Sequence, residues 1–106
     1  MVRKRLAAHY LFLPPGKVLK LRSVELDEAN RICGIFPLDR ETASTTFFNG
    51  ILLFTKQEIV LEELLQTLKE KKQQHPEATV FQLLENRHFP EIGEEDAVFF
   101  YNIQAF

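Results

Sequence analysis

The sequence is poor in features that indicate a secreted or membrane protein. Cys33 is the only cysteine among the 106 residues, so no disulfide can form within the chain. There is also no run of about eighteen apolar residues, the length that a membrane-spanning helix requires. We therefore expect a protein of the reducing cytoplasm with no membrane partner. Cys33 itself lies among apolar residues, and we interpret it as a small buried hydrophobe and not as a reactive thiolate.

Charge of one sign does not dominate the chain. The formal net charge is −2, which excludes the strongly basic surface expected of a nucleic-acid-binding protein. The distribution is uneven, because residues 1–40 contain eight Lys/Arg and four Asp/Glu, whereas residues 41–106 contain five and eleven. The two parts therefore carry formal charges of +4 and −6. Two interpretations stay open. Either the two parts simply form solvated surfaces of opposite charge within one domain, or the opposite charges steer two copies of the chain toward each other.

No catalytic or cofactor-binding motif is present. The chain contains no G-x-S-x-G, no P-loop and no G-x-G-x-x-G sequence. His9, His75 and His88 lack the i, i+4 or H-x-H spacing that places two imidazoles on one metal ion. The acidic group at residues 91–96 lacks the arrangement of an EF-hand, and we interpret it as solvated. We therefore predict a protein that is not an enzyme, with no cofactor and no catalytic or metal-binding residue, and the sequence identifies no ligand-binding residue.

The apolar pattern of residues 3–54 predicts a β meander. Residues 6–13 carry apolar side chains on both alternating faces, which indicates a strand that is covered on two sides. The alternation slips near Arg22-Ser23, where we expect a β-bulge. Pro37 either weakens the end of the strand that contains it or places that strand at an edge of the sheet. Asn49-Gly50 is the strongest hairpin signal in the chain and predicts a type I′ turn.

Helical periodicity begins after Phe54. Thr55 and Glu58 have the spacing of a capping box, so we predict a helix over residues 56–74. Its buried stripe has the spacing i, i+3, i+4, i+7 and consists of Leu61, Leu64, Leu65 and Leu68. Thr79 and Gln82 repeat the capping spacing and predict a second helix over residues 80–87.

The C-terminal residues 97–105 predict a final strand with apolar groups on both faces. Such a strand is expected to be inserted between partners, to be covered, or to be the place where another chain docks, because exposed apolar edges aggregate. Together these segments predict a single α+β domain over residues 1–106. It should contain an antiparallel sheet or small β-sandwich of about five to six strands, with two helices between the β half and the C-terminal strand.

Several segments resemble the small β-domain that flanks the catalytic barrel of metal-dependent amidohydrolases. Residues 6–10, 24–27, 30–32 and 48–52 are similar to the opening sheet of that domain. Residues 59–77, 81–84 and 91–93 are similar to its closing helices and to the return into the same sheet. The family's returning strand usually follows Gly-Lys and Ala-Asp, whereas this chain has Glu94 and Asp96-Ala97 there. The resemblance implies a composite β-domain that covers nearly the whole chain.

The same resemblance implies that the catalytic barrel is absent. In the family, the strand after the Asn-Gly region leads to a His-x-His pair that begins the metal site. Here residues 51–54 lead directly into the predicted helix, and the roughly 250 residues of a typical barrel have no counterpart. No metal ligand of the family therefore has an equivalent in this sequence.

Three functional hypotheses follow. The first is a non-catalytic interaction or oligomerisation module, which suits apolar two-sided strands in a chain without a site motif. The second is a detached subunit or relic of a metal-dependent hydrolase. The third is a small-ligand-binding protein with a pocket lined by Tyr10, Phe48 and Tyr101, although these rings are also suitable for an ordinary core.

Overall fold

Strands and helices follow one another in the predicted order. A computed structural model describes residues 4–38 and 45–104. The elements are β1 (Lys4–Leu13), β2 (Lys17–Leu26), β3 (Ile32–Pro37), β4 (Thr45–Thr55), α1 (Leu61–Gln74), α2 (Val80–Glu85) and β5 (Phe99–Ile103). The expected α+β class, with two helices between the first four strands and a C-terminal strand, is confirmed. Within the described ranges, neither helix is long and apolar enough to cross a membrane.

The five strands form one mixed sheet in the order β3-β2-β1-β4-β5. β1 pairs with β4 in parallel, whereas β1–β2, β2–β3 and β4–β5 are antiparallel pairs. The first four strands are therefore not a pure meander, because β4 lies on the far side of β1 and runs in the same direction. β1 occupies the centre of the sheet. β3, the strand with Pro37, lies at one edge, which is one of the two predicted alternatives.

The predicted turn at Asn49-Gly50 is wrong, because both residues lie inside β4. Gly50 has a φ of 120°, and the β1–β4 register shifts between Ala8 and Tyr10, so β4 contains a local irregularity opposite β1. A Cβ atom on Gly50 would lie 2.6 Å from the carbonyl oxygen of Ile103 in β5. The glycine therefore allows a bulge and the close approach of β5, two of the reasons for glycine within a strand.

Two hydrophobic cores lie on opposite faces of the sheet. The inner core consists of Leu6, Ala8, Leu11, Leu13, Val24, Leu26, Leu52, Phe54 and Val98. The outer core consists of Phe12, Ile51, Leu53, Leu64, Leu68, Leu83, Leu84 and Ile103. Because the outer core includes residues of α1 and α2, these helices cover the outer face. The expectation of a two-sided first strand agrees with this arrangement.

The alternation of side chains between the two faces is interrupted at the centre of the sheet, at the level of His9. Ala8 and Leu11 both belong to the inner core although they are three residues apart, so the alternation of β1 shifts between them. On β2, Leu21 has a φ of 51°. The irregularity expected near Arg22-Ser23 is therefore at Leu21, and the β1–β2 register continues through it without a shift.

The two edges of the sheet approach each other at one end. The Val98 N–H donates to the Asn30 carbonyl oxygen at 2.7 Å, and Arg31 forms an isolated β-bridge with Ala97. These residues precede the two edge strands, β3 and β5. The sheet therefore curls around the inner core, which Val98 and the partly buried Ile92 cover.

Asp27 organises the turn that makes this closing contact. Its Oδ1 accepts hydrogen bonds from the N–H groups of Ala29 at 2.8 Å and Arg31 at 3.0 Å, and its Oδ2 accepts one from Arg31 Nε at 3.0 Å. The hydrogen bond from the Arg31 backbone is the main cause that holds the pKa of Asp27 below its ordinary value. Desolvation acts in the opposite direction, and the Ala29 bond and the Arg31 charge reinforce the lowering.

The start of α1 differs from the prediction, because Thr55 does not act as its cap. Thr55 pairs with Phe99 as the last residue of β4, and its hydroxyl donates to the Gln57 carbonyl oxygen at 2.6 Å. The helix begins at Leu61 instead, with Val60 at the N-cap position and no side-chain cap. A threonine held in a β ladder cannot take the position that a capping box requires.

A tyrosine of β5 holds the segment between β4 and α1. The Ile59 N–H donates to the hydroxyl oxygen of Tyr101 at 2.9 Å. Ile59 and Tyr101 both pack against the outer core, so this bond lies in a partly buried place. It fixes the direction in which the chain enters α1 and connects that helix to β5.

The capping box predicted for the second helix is confirmed. The Gln82 N–H donates to the Thr79 hydroxyl at 3.2 Å, and the Thr79 N–H donates to Gln82 Oε1 at 2.9 Å. The helix ends at Glu85, two residues earlier than predicted. His88 has a φ of 54°, and its N–H donates to the Glu85 carbonyl oxygen, so the chain leaves the helix in a tight turn.

Asp27→Asn should lower the free energy of unfolding at neutral pH, because the amide cannot accept from Arg31 as a carboxylate does. The folded-state pKa of Asp27 is lowered, so its contribution is present above the unfolded-state pKa of about 3.9 and is lost as the pH falls through the folded-state pKa. Urea unfolding of both proteins at a series of pH values measures this. Glu28→Gln, an exposed change in the same turn, is the control. A difference that stays constant down to acidic pH would contradict the prediction.

Tyr101→Phe should lower the free energy of unfolding by about 1–2 kcal/mol, because it leaves the partly buried Ile59 N–H without its acceptor. Tyr10→Phe is the matched control. The Tyr10 ring packs 5.1 Å from the ring of Phe81, and its hydroxyl has no hydrogen-bond partner in the described part of the chain. Chemical denaturation of the three proteins gives the comparison, and equal effects of the two substitutions would refute the role of the hydroxyl.

Candidate functional site

The three rings suggested for a ligand pocket do not come together. Tyr10 and Tyr101 pack against the outer core, whereas Phe48 packs against the inner core. The centroid of the Phe48 ring lies 6.2 Å from that of Phe100. The sheet therefore separates Phe48 from the two tyrosines. The pocket predicted at these three rings is therefore not formed, because Phe48 lies in a different core from Tyr10 and Tyr101.

The three histidines lie on different elements. His9 is exposed on β1, and its ring meets Phe47 edge-on at a centroid distance of 5.2 Å. His75 is exposed at the C-terminal end of α1. His88 lies in the turn after α2. Over residues 4–38 and 45–104, no group of three or more His, Cys, Asp or Glu side chains could hold a metal ion.

The prediction that Cys33 is buried is wrong, because its side chain is exposed on β3. The β2–β3 register shifts between Glu25 and Leu26, whose partners are Gly34 and Ile32. Cys33 lies at this irregularity and has no partner in the register. Its thiol lies 3.8 Å from the Arg31 carbonyl oxygen. The exposed position results from the bulge, which the local sequence did not indicate.

The most unusual surface of the sheet is the free edge of β5. β5 covers residues 99–103 of the predicted 97–105; Ala97 contributes only the bridge to Arg31, and residue 105 lies outside the described residues. Among residues 4–38 and 45–104 the strand pairs with β4 alone, so no second described strand flanks it. Its sequence, FFYNI, contains no charge, proline or glycine. Natural edge strands usually carry such residues, which prevent pairing with another chain.

Exposed apolar side chains adjoin this edge. Phe99, the first residue of β5, is 40% exposed. Val60, at the start of α1, is 57% exposed, and its neighbour Ile59 is hydrogen-bonded to Tyr101 in β5. The bond between Ile59 and Tyr101 connects the residue before Val60 to the strand. We call Phe99–Ile103 together with Val60 the β5 edge surface.

A separate apolar pocket lies beside β3. β3 pairs only with residues 22–26 of β2, so the β1–β2 hairpin extends beyond it. The space next to this hairpin has a volume of about 330 Å³, and its apolar wall consists of Leu13, Pro14, Ile32, Ile35 and Ile92. Lys17, Glu91 and Glu94 contribute its charged groups. We call this space the mouth pocket, and its volume lies at the lower end of the range for small-molecule sites.

Comparison with known proteins adds no relative. No protein-family model matches the chain, and neither the curated proteins nor the solved structures include a significant match. The resemblance to the amidohydrolase β-domain therefore stays a prediction.

Proposed function

We propose that this protein is a non-catalytic interaction module that pairs with a second copy of itself through the β5 edge surface. The observation that supports the proposal is the edge strand Phe99–Ile103, which carries five uncharged residues and, within the described part of the chain, pairs on one side only. Backbone donors and acceptors on an open edge form a ready template for another strand.

An antiparallel pair of β5 strands is compatible with twofold symmetry. When Tyr101 is placed on the axis, Phe99 lies opposite Ile103 of the second copy and Phe100 lies opposite Asn102. Each contact occurs twice, as the isologous interface of a symmetric dimer requires. Aromatic and β-branched residues are the side chains that stabilise such cross-strand pairs.

Charge does not oppose this pairing. Phe99–Ile103 contains no ionisable group other than the Tyr101 hydroxyl, and the chain as a whole carries a formal charge of only −2. Two copies therefore meet along the strand without repulsion between like charges. This favours a second copy over a strongly charged partner, which would gain nothing from an uncharged edge.

The size of the contact predicts a reversible dimer. A stable interface buries about 800 Å² on each partner. One five-residue strand supplies only part of that area, and the exposed side chains of Val60 and Phe99 extend it. We therefore expect association in the micromolar range, in the class of transient complexes that bury less than about 1,200 Å² in total.

Phe99→Lys should weaken the dimer at least about tenfold, because it places a charge on the β5 edge surface at a cost of about 1.4 kcal/mol or more. Phe36→Lys is the matched control on the opposite edge strand, since Phe36 is 42% exposed and Phe99 40%. Sedimentation velocity over a concentration series measures both. A wild-type chain that stays monomeric up to about 1 mM, which corresponds to about −4 kcal/mol of binding free energy, overturns the proposal.

Binding of a small ligand is the second candidate function, and the mouth pocket is the observation that favours it. Its wall is apolar, and the carboxylates of Glu91 and Glu94 outnumber the ammonium group of Lys17. This combination suits an apolar molecule that carries an amine.

A thermal-shift series tests the second candidate with alkylamines and the alcohols of the same chain length. An amine at about ten times its Kd should stabilise the protein by about 1.4 kcal/mol, which raises Tm by roughly 5 °C or more. Ile35→Trp should remove the shift by filling the pocket. Val18→Trp, an exposed change on β2 outside the pocket, should retain it. Equal shifts with amines and alcohols would refute the role of the two carboxylates.

A further inference from the structure

A second pocket, independent of the β5 edge surface, lies between the C-terminal ends of the two helices. Its volume is about 160 Å³. Leu68 of α1 and Leu83 of α2 line it and are 1% and 6% exposed, so they belong to the outer core beneath it. The remaining lining residues are polar. We call this space the basic pocket.

Three of these polar residues are basic. Thr67, Lys71 and His75 follow one another at intervals of four residues, so α1 presents them as one row. Asn86 and Arg87 come from the turn that follows α2 and complete the lining. Residues that carry an ammonium group, an imidazole, a guanidinium group and an amide therefore line a single small space.

Backbone hydrogen bonds fix the positions of these residues. The His75 N–H donates to the Lys71 carbonyl oxygen at 2.8 Å, and the Arg87 N–H donates to the Leu84 carbonyl oxygen at 3.1 Å. The Arg87 guanidinium also lies 5.9 Å from the centroid of the Phe89 ring. The backbone positions of His75 and Arg87 are therefore fixed by the way in which both helices end.

The charges of Lys71 and Arg87 have no anionic partner within the described part of the chain. None of the ion pairs there includes Lys71, His75 or Arg87. Their clustering is unexpected, because residues 41–106 carry five Lys/Arg against eleven Asp/Glu. Neighbouring groups of like charge repel one another, and a bound anion removes that repulsion.

A lysine ammonium group of the last turn of α1 holds the segment that follows the helix. Lys72 Nζ donates to the carbonyl oxygens of Pro76 at 2.8 Å and Ala78 at 2.6 Å. This ammonium group lies at the negative pole of the helix dipole and partly compensates for it. The Thr67 hydroxyl donates to the Glu63 carbonyl oxygen at 2.9 Å, so the available donors are those of Lys71, His75, Asn86 and Arg87.

We propose that the basic pocket binds a phosphoryl anion, either free phosphate or the phosphate group of a small metabolite. A guanidinium group matches two phosphate oxygens at once, and an ammonium group adds a compact charge. The volume of about 160 Å³ exceeds by far the roughly 10–15 Å³ that one ordered water needs, so a group of five heavy atoms can enter.

Inorganic phosphate is the first probe, titrated into the full chain at constant ionic strength and followed by amide NMR. We expect saturable shifts that include residues 67–75 and 86–87. Arg87→Gln and Lys71→Gln should each weaken binding about tenfold or more. Lys69→Gln is the matched control, because Lys69 is exposed on the same helix and does not line the pocket. It should change the Kd by less than about twofold.

Amide spectra without phosphate establish that each variant keeps the fold. Equal weakening by Lys69→Gln would show a diffuse electrostatic effect and would overturn the site, as would shifts that grow linearly without saturation. Glycerol phosphate is the second probe. Tighter binding than inorganic phosphate assigns the pocket to a phosphorylated metabolite, whereas equal affinity assigns it to free phosphate. Because the readout is local, the result does not depend on whether the chain dimerises.

Discussion

Burial of β1 on both faces is the constraint on which the remaining structure depends. Its consecutive residues Leu11 and Phe12 are 0% and 1% exposed, and they belong to different cores. A central strand of this kind needs a cover on each side. The helices provide the outer cover, whereas the curl of the sheet and the segment before β5 provide the inner one. The short bond between Val98 and Asn30 maintains that curl.

This arrangement also explains why the last strand lies at an edge. β4 occupies the place beside β1, so β5 can add only to the outer side of β4. Gly50 allows the close approach, and Tyr101 ties β5 to the start of α1. The far side of β5 lacks a neighbouring strand within the described ranges, although its residues are as apolar as those of a central strand. The proposed self-association would give this strand the second neighbour that its composition suits.

Short sequence patterns predicted the structure well where the residues that interact lie close together in the chain. The box at Thr79 and Gln82 was confirmed because both partners lie within one turn. The similar spacing at Thr55 failed, because Thr55 pairs with Phe99, forty-four residues later in the chain. The glycine of Asn49-Gly50 allows a bulge in β4, and this bulge belongs to the parallel pairing of β4 with β1. The apolar character of β5 was compatible with insertion, cover or docking, whereas the order of the described strands and the lining of one pocket by Lys71 and Arg87 depend on tertiary packing.

The β5 edge surface and the basic pocket lie at opposite ends of α1. α1 has fourteen residues and is therefore about 20 Å long. Its beginning adjoins the β5 edge surface through Ile59, and its last turns form half of the basic pocket. An anion at the pocket consequently cannot touch a second copy at β5. Any coupling between them would have to pass through a shift of α1 against the sheet, and the bond between Ile59 and Tyr101 is the contact that resists such a shift.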